Sequence, residues 1–145
     1  MSDSVVEQGG AVATLLVNID VAEIEKAIAF YCAGLGLRVR RRLGPNTAEL
    51  VGASSPIFLT QQPAGTLPFH GASSPRTYRR HWTPVHVDFV VAELESAVNR
   101  AESAGATLEG EVHASAWWRY VVMADPFGNG FCVLQFTGKG YGEGE

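Results

Sequence analysis

The stretch LVNIDVAEIEKAI, Leu16 to Ile28, comes back about half a chain later as HVDFVVAELESAV, His86 to Val98. Val21, Ala22 and Glu23 meet Val91, Ala92 and Glu93, and Glu25 and Ala27 meet Glu95 and Ala97. An echo at this offset marks an internal duplication, in which each copy is a supersecondary unit too small to bury its own apolar face. LGL at Leu35–Leu37 is answered by AGA at Ala104–Ala106, with glycine where a helix ends in a left-handed residue. The chain is thereby confined to two similar modules, and 145 residues with 46% hydrophobic content suffice for their interior.

Within each copy the apolar period changes from two to 3.6. Val17, Ile19 and Val21 alternate with Asn18 and Asp20, as a half-buried strand requires. Ile24, Ala27, Ile28 and Tyr31 then recur at helical spacing, with glutamates in the first turn. In the second copy Val87, Phe89 and Val91 share one strand face and His86, Asp88 and Val90 the other, while Leu94, Ala97, Val98 and Ala101 stripe the helix. Strand-like runs follow each helix: LRVRRRL, TAELV and PIFLTQQ in the first half, ATLEGEV, WWRYVVMA and FCVLQF in the second. Each half reads βαβββ, which predicts an α+β fold. The expected bounds are an N-terminal stretch at 1–12, modules at 13–62 and 83–137, a Pro-containing linker or flap at 63–82, and a Gly-rich tail at 138–145. Asn129 and Gly130 are expected to take the positive φ of a hairpin turn before the last strand.

Other classes of chemistry are excluded by what is missing. A net charge of −4 argues against nucleic acid. No apolar run approaches the length that spans a membrane, and the N-terminus lacks a signal core, so a cytosolic protein is the expectation. Cys32 and Cys132 are too far apart in sequence for a metal knuckle and form no disulfide framework. There is no GxSxG, Walker or HExxH motif, and the PFGN turn leads into a strand rather than the helix an anion loop needs.

Two βαβββ copies, the IEKAIAFY helix followed by LGL, HVDFVVAELESAV leading to AGA, and DPFGNGF before a final strand together resemble the vicinal oxygen chelate superfamily. That superfamily includes glyoxalase I, extradiol dioxygenases, fosfomycin-modifying enzymes and bleomycin-resistance proteins, and the second half is most like its glyoxalase-like branch. The resemblance covers about residues 14–137. It implies that the modules' mixed sheets curve into a cup, helices outside and ligand inside, and that the protein is a homodimer. It also implies metal ligands at the start of the first strand and within the last strand of each module. Those positions fall on Leu16, Phe58, His86 and Cys132, so only two of four keep a donor atom.

Leu16 and Phe58 cannot bind a metal, so no metal or other cofactor is expected. The expected function is that of a glyoxalase/bleomycin-resistance-like protein holding a small, partly apolar organic molecule in the cup. Candidate ligand contacts are Asn18, Asp20, Phe58, Trp82, His86, Asp88, Trp117, Trp118, Arg119 and Cys132. The adjacent tryptophans are expected to point to opposite faces of their strand. The run of Arg38, Arg40, Arg41 and Arg42 is likewise expected to divide between two faces. The alternative is a lyase, isomerase or dioxygenase that uses His86 as its catalytic proton carrier, or a displaced divalent-metal site at His86, Asp88 and Cys132.

Overall fold

Alternation in the first copy produces the strand β1 (Val17–Val21), and the 3.6-residue stripe produces the helix α1 (Ile24–Leu35) in the computed structural model, which describes residues 12–138. The strands β2 (Arg38–Arg42), β3 (Thr47–Val51) and β4 (Ile57–Gln61) complete the first module. Their order is β1-β4-β3-β2, with β1 parallel to β4 and the other pairs antiparallel. Val21, Ile24, Ala27, Phe30, Tyr31, Leu50 and Leu59 are buried, each large one contributing roughly 1.5–3 kcal/mol. The registers Ile19↔Leu59 and Ala48↔Leu59 align the apolar face. Asn18, Phe58 and Glu49 are therefore left together on the face away from α1.

The second module repeats the plan with β5 (Val87–Val90), α2 (Leu94–Ala104), β6 (Thr107–Leu108), β7 (His113–Ala114), β8 (Trp118–Ala124) and β9 (Gly130–Phe136). The order is β5-β9-β8-β6, with β7 also on β8 and β5 parallel to β9. ATLEGEV, expected as one strand, supplies only the two residues of β6, because Gly110 takes φ +104° and bends the chain away before β7 rejoins β8. Contact-dense units divide between Arg76 and Thr77, residues 33–35 grouping with the second.

The helix ends show the duplication most plainly. Neither N-cap residue, Glu23 or Glu93, caps with its side chain. Instead Gln61 of β4 accepts the Ile24 N–H at 2.8 Å, and Gln135 of β9 accepts the Leu94 N–H at 2.8 Å, each satisfying an otherwise orphan donor. Gly36 ends α1 in the left-handed region at φ 73°, and Gly105 ends α2 at φ 124°.

The hairpin between β8 and β9 departs from expectation in its glycine. Positive φ falls on Gly128, at 87°, and on neither Asn129 nor Gly130. Asp125 explains this: it is buried, and its Oδ1 accepts N–H groups from Phe127 and Asn129, which fixes an Asx turn one residue earlier. A Cβ on Gly128 would also stand 2.5 Å from the Tyr78 carbonyl oxygen. Tyr78 and Arg80 thus lie against this turn, so the end of the linker is part of the second module's structure.

Candidate functional site

Counted from the capping glutamines, Phe58 and Cys132 occupy the same place, each three residues before its Gln. Leu16 and His86 each immediately precede the first residue of their module's first strand. The register then adds the next pair: Asn18 lies opposite Phe58, and Asp88 opposite Cys132. Two corresponding positions therefore carry different chemistry.

In the second module they form a cluster. One ligand-capable atom each from His86, Asp88 and Cys132 lies within 4.8 Å of the others. His86 Nε2 is 3.3 Å from Asp88 Oδ1. Cys132 is only 4% exposed. Burial, and then the charge and hydrogen bond of Asp88, push its thiol up to about 11, while Arg80 acts in the opposite sense. At neutral pH Cys132 is therefore a protonated S–H that donates to Asp88, not a thiolate nucleophile. His86 and Asp88 reach solvent, so the cluster has a buried floor and an open mouth.

Aromatic groups flank it. The Trp82 ring lies 4.6 Å from that of His86. Trp118, Tyr120 and Val122 share the sheet face of Cys132, since Val122 pairs with Cys132 and the others are two and four residues away on β8. Trp117 and Trp118 do not diverge: their rings stack at 6.1 Å with an interplanar angle of 28°. Trp117 precedes β8 and so escapes strand alternation, and Ser115 Oγ accepts the backbone N–H groups of both tryptophans. Tyr120 stacks on His113 at 4.9 Å, a pair the sequence reading did not name. Alternation from Trp118 would have found Tyr120; His113 sits on a two-residue strand with no sequence signal.

Arg119 does not join the cluster. It pairs with Gln135 on the opposite face and binds Glu95 of α2. Arg80 takes the nearer position, its guanidinium packed over Gly130 and held by Glu109 at 2.8 and 2.9 Å. That hydrogen bonding raises the Arg80 pKa and lowers that of Glu109. A separate groove of about 260 Å³, lined by Leu94, Val98, Leu108 and Val112, opens beside α2.

The first module assembles a different set. Asn18 accepts from Thr60 at 3.0 Å, and Asp20 receives Arg76 at 2.7 Å, so Arg76 ties the linker to β1. Glu49, which the sequence reading passed over, lies opposite Phe58 with only 1% of its side chain exposed and binds Arg40 and Arg41. The arginines do not simply alternate. Val39↔Leu50 is followed by Arg41↔Glu49, so Arg40 is the extra residue of a β-bulge and both guanidiniums reach one carboxylate. Arg42 turns the other way, to Glu25 of α1.

A glyoxalase-like domain model matches residues 16–134. The chain belongs to that family. This glyoxalase-like chain lies within the vicinal oxygen chelate superfamily, and solved structures share its fold. A glyoxalase/bleomycin resistance protein/dioxygenase family enzyme from Burkholderia phytofirmans PsJN is similar at 24% identity and TM-score 0.64, over 84% of this chain and 97% of its own. A glyoxalase family protein from Bacillus cereus is similar at 20% identity and TM-score 0.67, over 91% and 99%. A glyoxalase-related enzyme from Fulvimarina pelagi is similar at 15% identity and TM-score 0.68, over 86% and 88%. No curated protein matches. No helix among the described residues is long and apolar enough to cross a membrane.

The residues do not fit the metal pattern that the superfamily implies. Leu16 and Phe58 offer no donor in the first module, so only His86 and Cys132 of the four positions carry one.

Proposed function

We propose that this glyoxalase-like protein binds a small, partly apolar organic molecule on the sheet faces away from its helices, without a four-ligand metal centre. The observation that carries this is the second module's face. There a convergent polar group, His86 with Asp88 and Cys132, sits among Trp82, Trp118 and Tyr120. Few placed polar groups within an aromatic wall is the composition of a small-molecule site. Flat rings would hold the apolar body, while His86 and Asp88 orient a donor or acceptor on it. The reading includes a homodimer, which light scattering at twice the 15.5 kDa chain mass would support.

All three tryptophans, Trp82, Trp117 and Trp118, lie in or beside the second module, so intrinsic fluorescence reports on this face. Titration with panels of aromatic acids, thiol conjugates and glycopeptides should give saturable quenching by at least one class, weakened by His86→Ala. Absence of quenching by every class would overturn the reading.

A second reading is favoured by the convergence of three donor atoms within 4.8 Å. His86, Asp88 and Cys132 would hold one divalent ion, which would supply Lewis-acid polarisation of a ligand oxygen. In that case Asp88 exchanges its contacts with His86 and Cys132 for the cation, and the thiol must lose its proton. Metal analysis of protein purified without chelator separates the two. One zinc, nickel, iron or manganese per chain, lost in His86→Ala, replaces the metal-free reading.

A further inference from the structure

We propose that Arg40 and Arg41 form an anion-recognition fork on the first module, and that the bound molecule carries a carboxylate. This rests on the reading that the helix-free faces bind an organic molecule, and it specifies the ligand's class. The argument begins with Glu49. A carboxylate only 1% exposed needs a cation beside it, and one guanidinium meets that need. Two are present, both brought there by the bulge at Arg40. The trio therefore keeps one uncompensated positive charge.

The hydrogen bonds show where that charge is available. Arg40 reaches Glu49 through Nη1 alone, at 3.2 and 3.3 Å, and Arg41 through Nε at 2.6 Å. Among the described residues no other partner engages either guanidinium. The Nη1/Nη2 edge of Arg41 and the Nε/Nη2 edge of Arg40 are therefore both open, and either edge matches a carboxylate in bidentate fashion. Both side chains are 39% exposed, so the edges meet solvent while the partner carboxylate does not. Glu49 acts as a buried positioning residue that aims two guanidiniums outward.

The adjoining residues complete the description of the ligand. Phe58 lies beside Glu49, and Asn18 beside Phe58, in cross-strand register. Passing from β2 to β1, the face offers a cationic fork, a flat ring and an amide. At about 4.8 Å per strand, this row suits an aryl or alkyl carboxylate with a polar group at its far end.

The test uses the full-length ¹⁵N-labelled protein with phenylacetate and its neutral isostere phenylacetamide, following Arg Nε–H and backbone amide signals. Phenylacetate should shift the Arg40, Arg41 and Phe58 signals, and phenylacetamide should bind about tenfold more weakly, as expected for losing a hydrogen-bonded charge pair. Arg40→Gln should weaken phenylacetate by a similar factor. Glu49→Gln should tighten it, because the competing internal carboxylate is gone; a purely structural role for the trio predicts no gain. Equal affinity for acid and amide at this face overturns the fork while leaving small-molecule binding in place. Shifts confined to the second module do the same. No shift with either probe also overturns the fork, and small-molecule binding is then decided by the fluorescence panels.

Discussion

The two modules share a skeleton and differ on one face. Each uses a glutamine of its last strand to close its helix N-terminus, and each ends the helix at a glycine with positive φ. On the helix-free face the first module has Asn18, Phe58 and Glu49 where the second has Asp88, Cys132 and Val122. The charged partners differ as well. A buried carboxylate answered by two arginines lies in the first, and an acid shared between an imidazole and a thiol in the second. Backbone satisfaction therefore constrains the positions that build the modules, and the exposed face carries whatever chemistry its side chains supply.

The largest expected difference between the modules comes from removing buried-charge compensation. Replacing both Arg40 and Arg41 by Gln leaves Glu49 without a cation at 1% exposure, which should cost about 3–5 kcal/mol in denaturant unfolding. The second module has Val122 at the corresponding place, paired with Cys132. Val122, which is half-buried, loses only apolar contact in Val122→Ala, which should cost about 1 kcal/mol. If the double arginine variant lost no more stability than Val122→Ala, Glu49 would not depend on its guanidiniums and the two modules would not differ in this way.

A second difference lies in protons. Cys132 is held up at about 11, above the ordinary thiol range, first by burial and then by Asp88, whereas Phe58 has no proton to lose. The folded-state pKa is the higher one, so the unfolded chain ionises first as pH rises. The stability this thiol contributes is complete below about pH 9 and is lost as pH climbs through about 11. Unfolding free energy measured from pH 8 to 11 should fall more in the parent chain than in Cys132→Ala, with the excess on the order of 2 kcal/mol. Parallel curves would mean that Asp88 and burial do not act on the thiol.

What the sequence made legible follows the same division. Alternation, helical spacing and the repeat are set by elements that each hold a single period, so the βαβββ order of the first module and the faces of β1 and β5 could be read directly. Features that break a period could not. The bulge at Arg40 sends two successive arginines to one carboxylate, the Asx turn of Asp125 moves the positive φ to Gly128, and Trp117 lies just outside the strand that contains Trp118. In the candidate site, Asp88 and Cys132 come together because they stand at paired strand positions, with His86 just ahead of β5. Arg80 was not legible in this way, because its place depends on how the linker packs over Gly130. Arg119, expected at the site, lies on the helix side, where one step of alternation from Trp118 already places it.

The smallest expected effect tests the shared skeleton instead of its divergent face. Gln61→Ala and Gln135→Ala each remove the acceptor for a helix N-terminal N–H. Neither Glu23 nor Glu93 takes over with its side chain. Each substitution should therefore cost about 1 kcal/mol, the ordinary value of an N-terminal cap. Gln61→Glu and Gln135→Glu should restore most of it, because a carboxylate also accepts the bond and favours the positive end of the helix dipole. The two glutamines bond different helices and share no partner among the described residues, so the double alanine variant should lose the sum of the single losses. A loss at one site and none at the other would show that the glutamines resemble each other in place but not in function. The repeat would then be a likeness of topology alone, without a common way of holding each helix to its sheet.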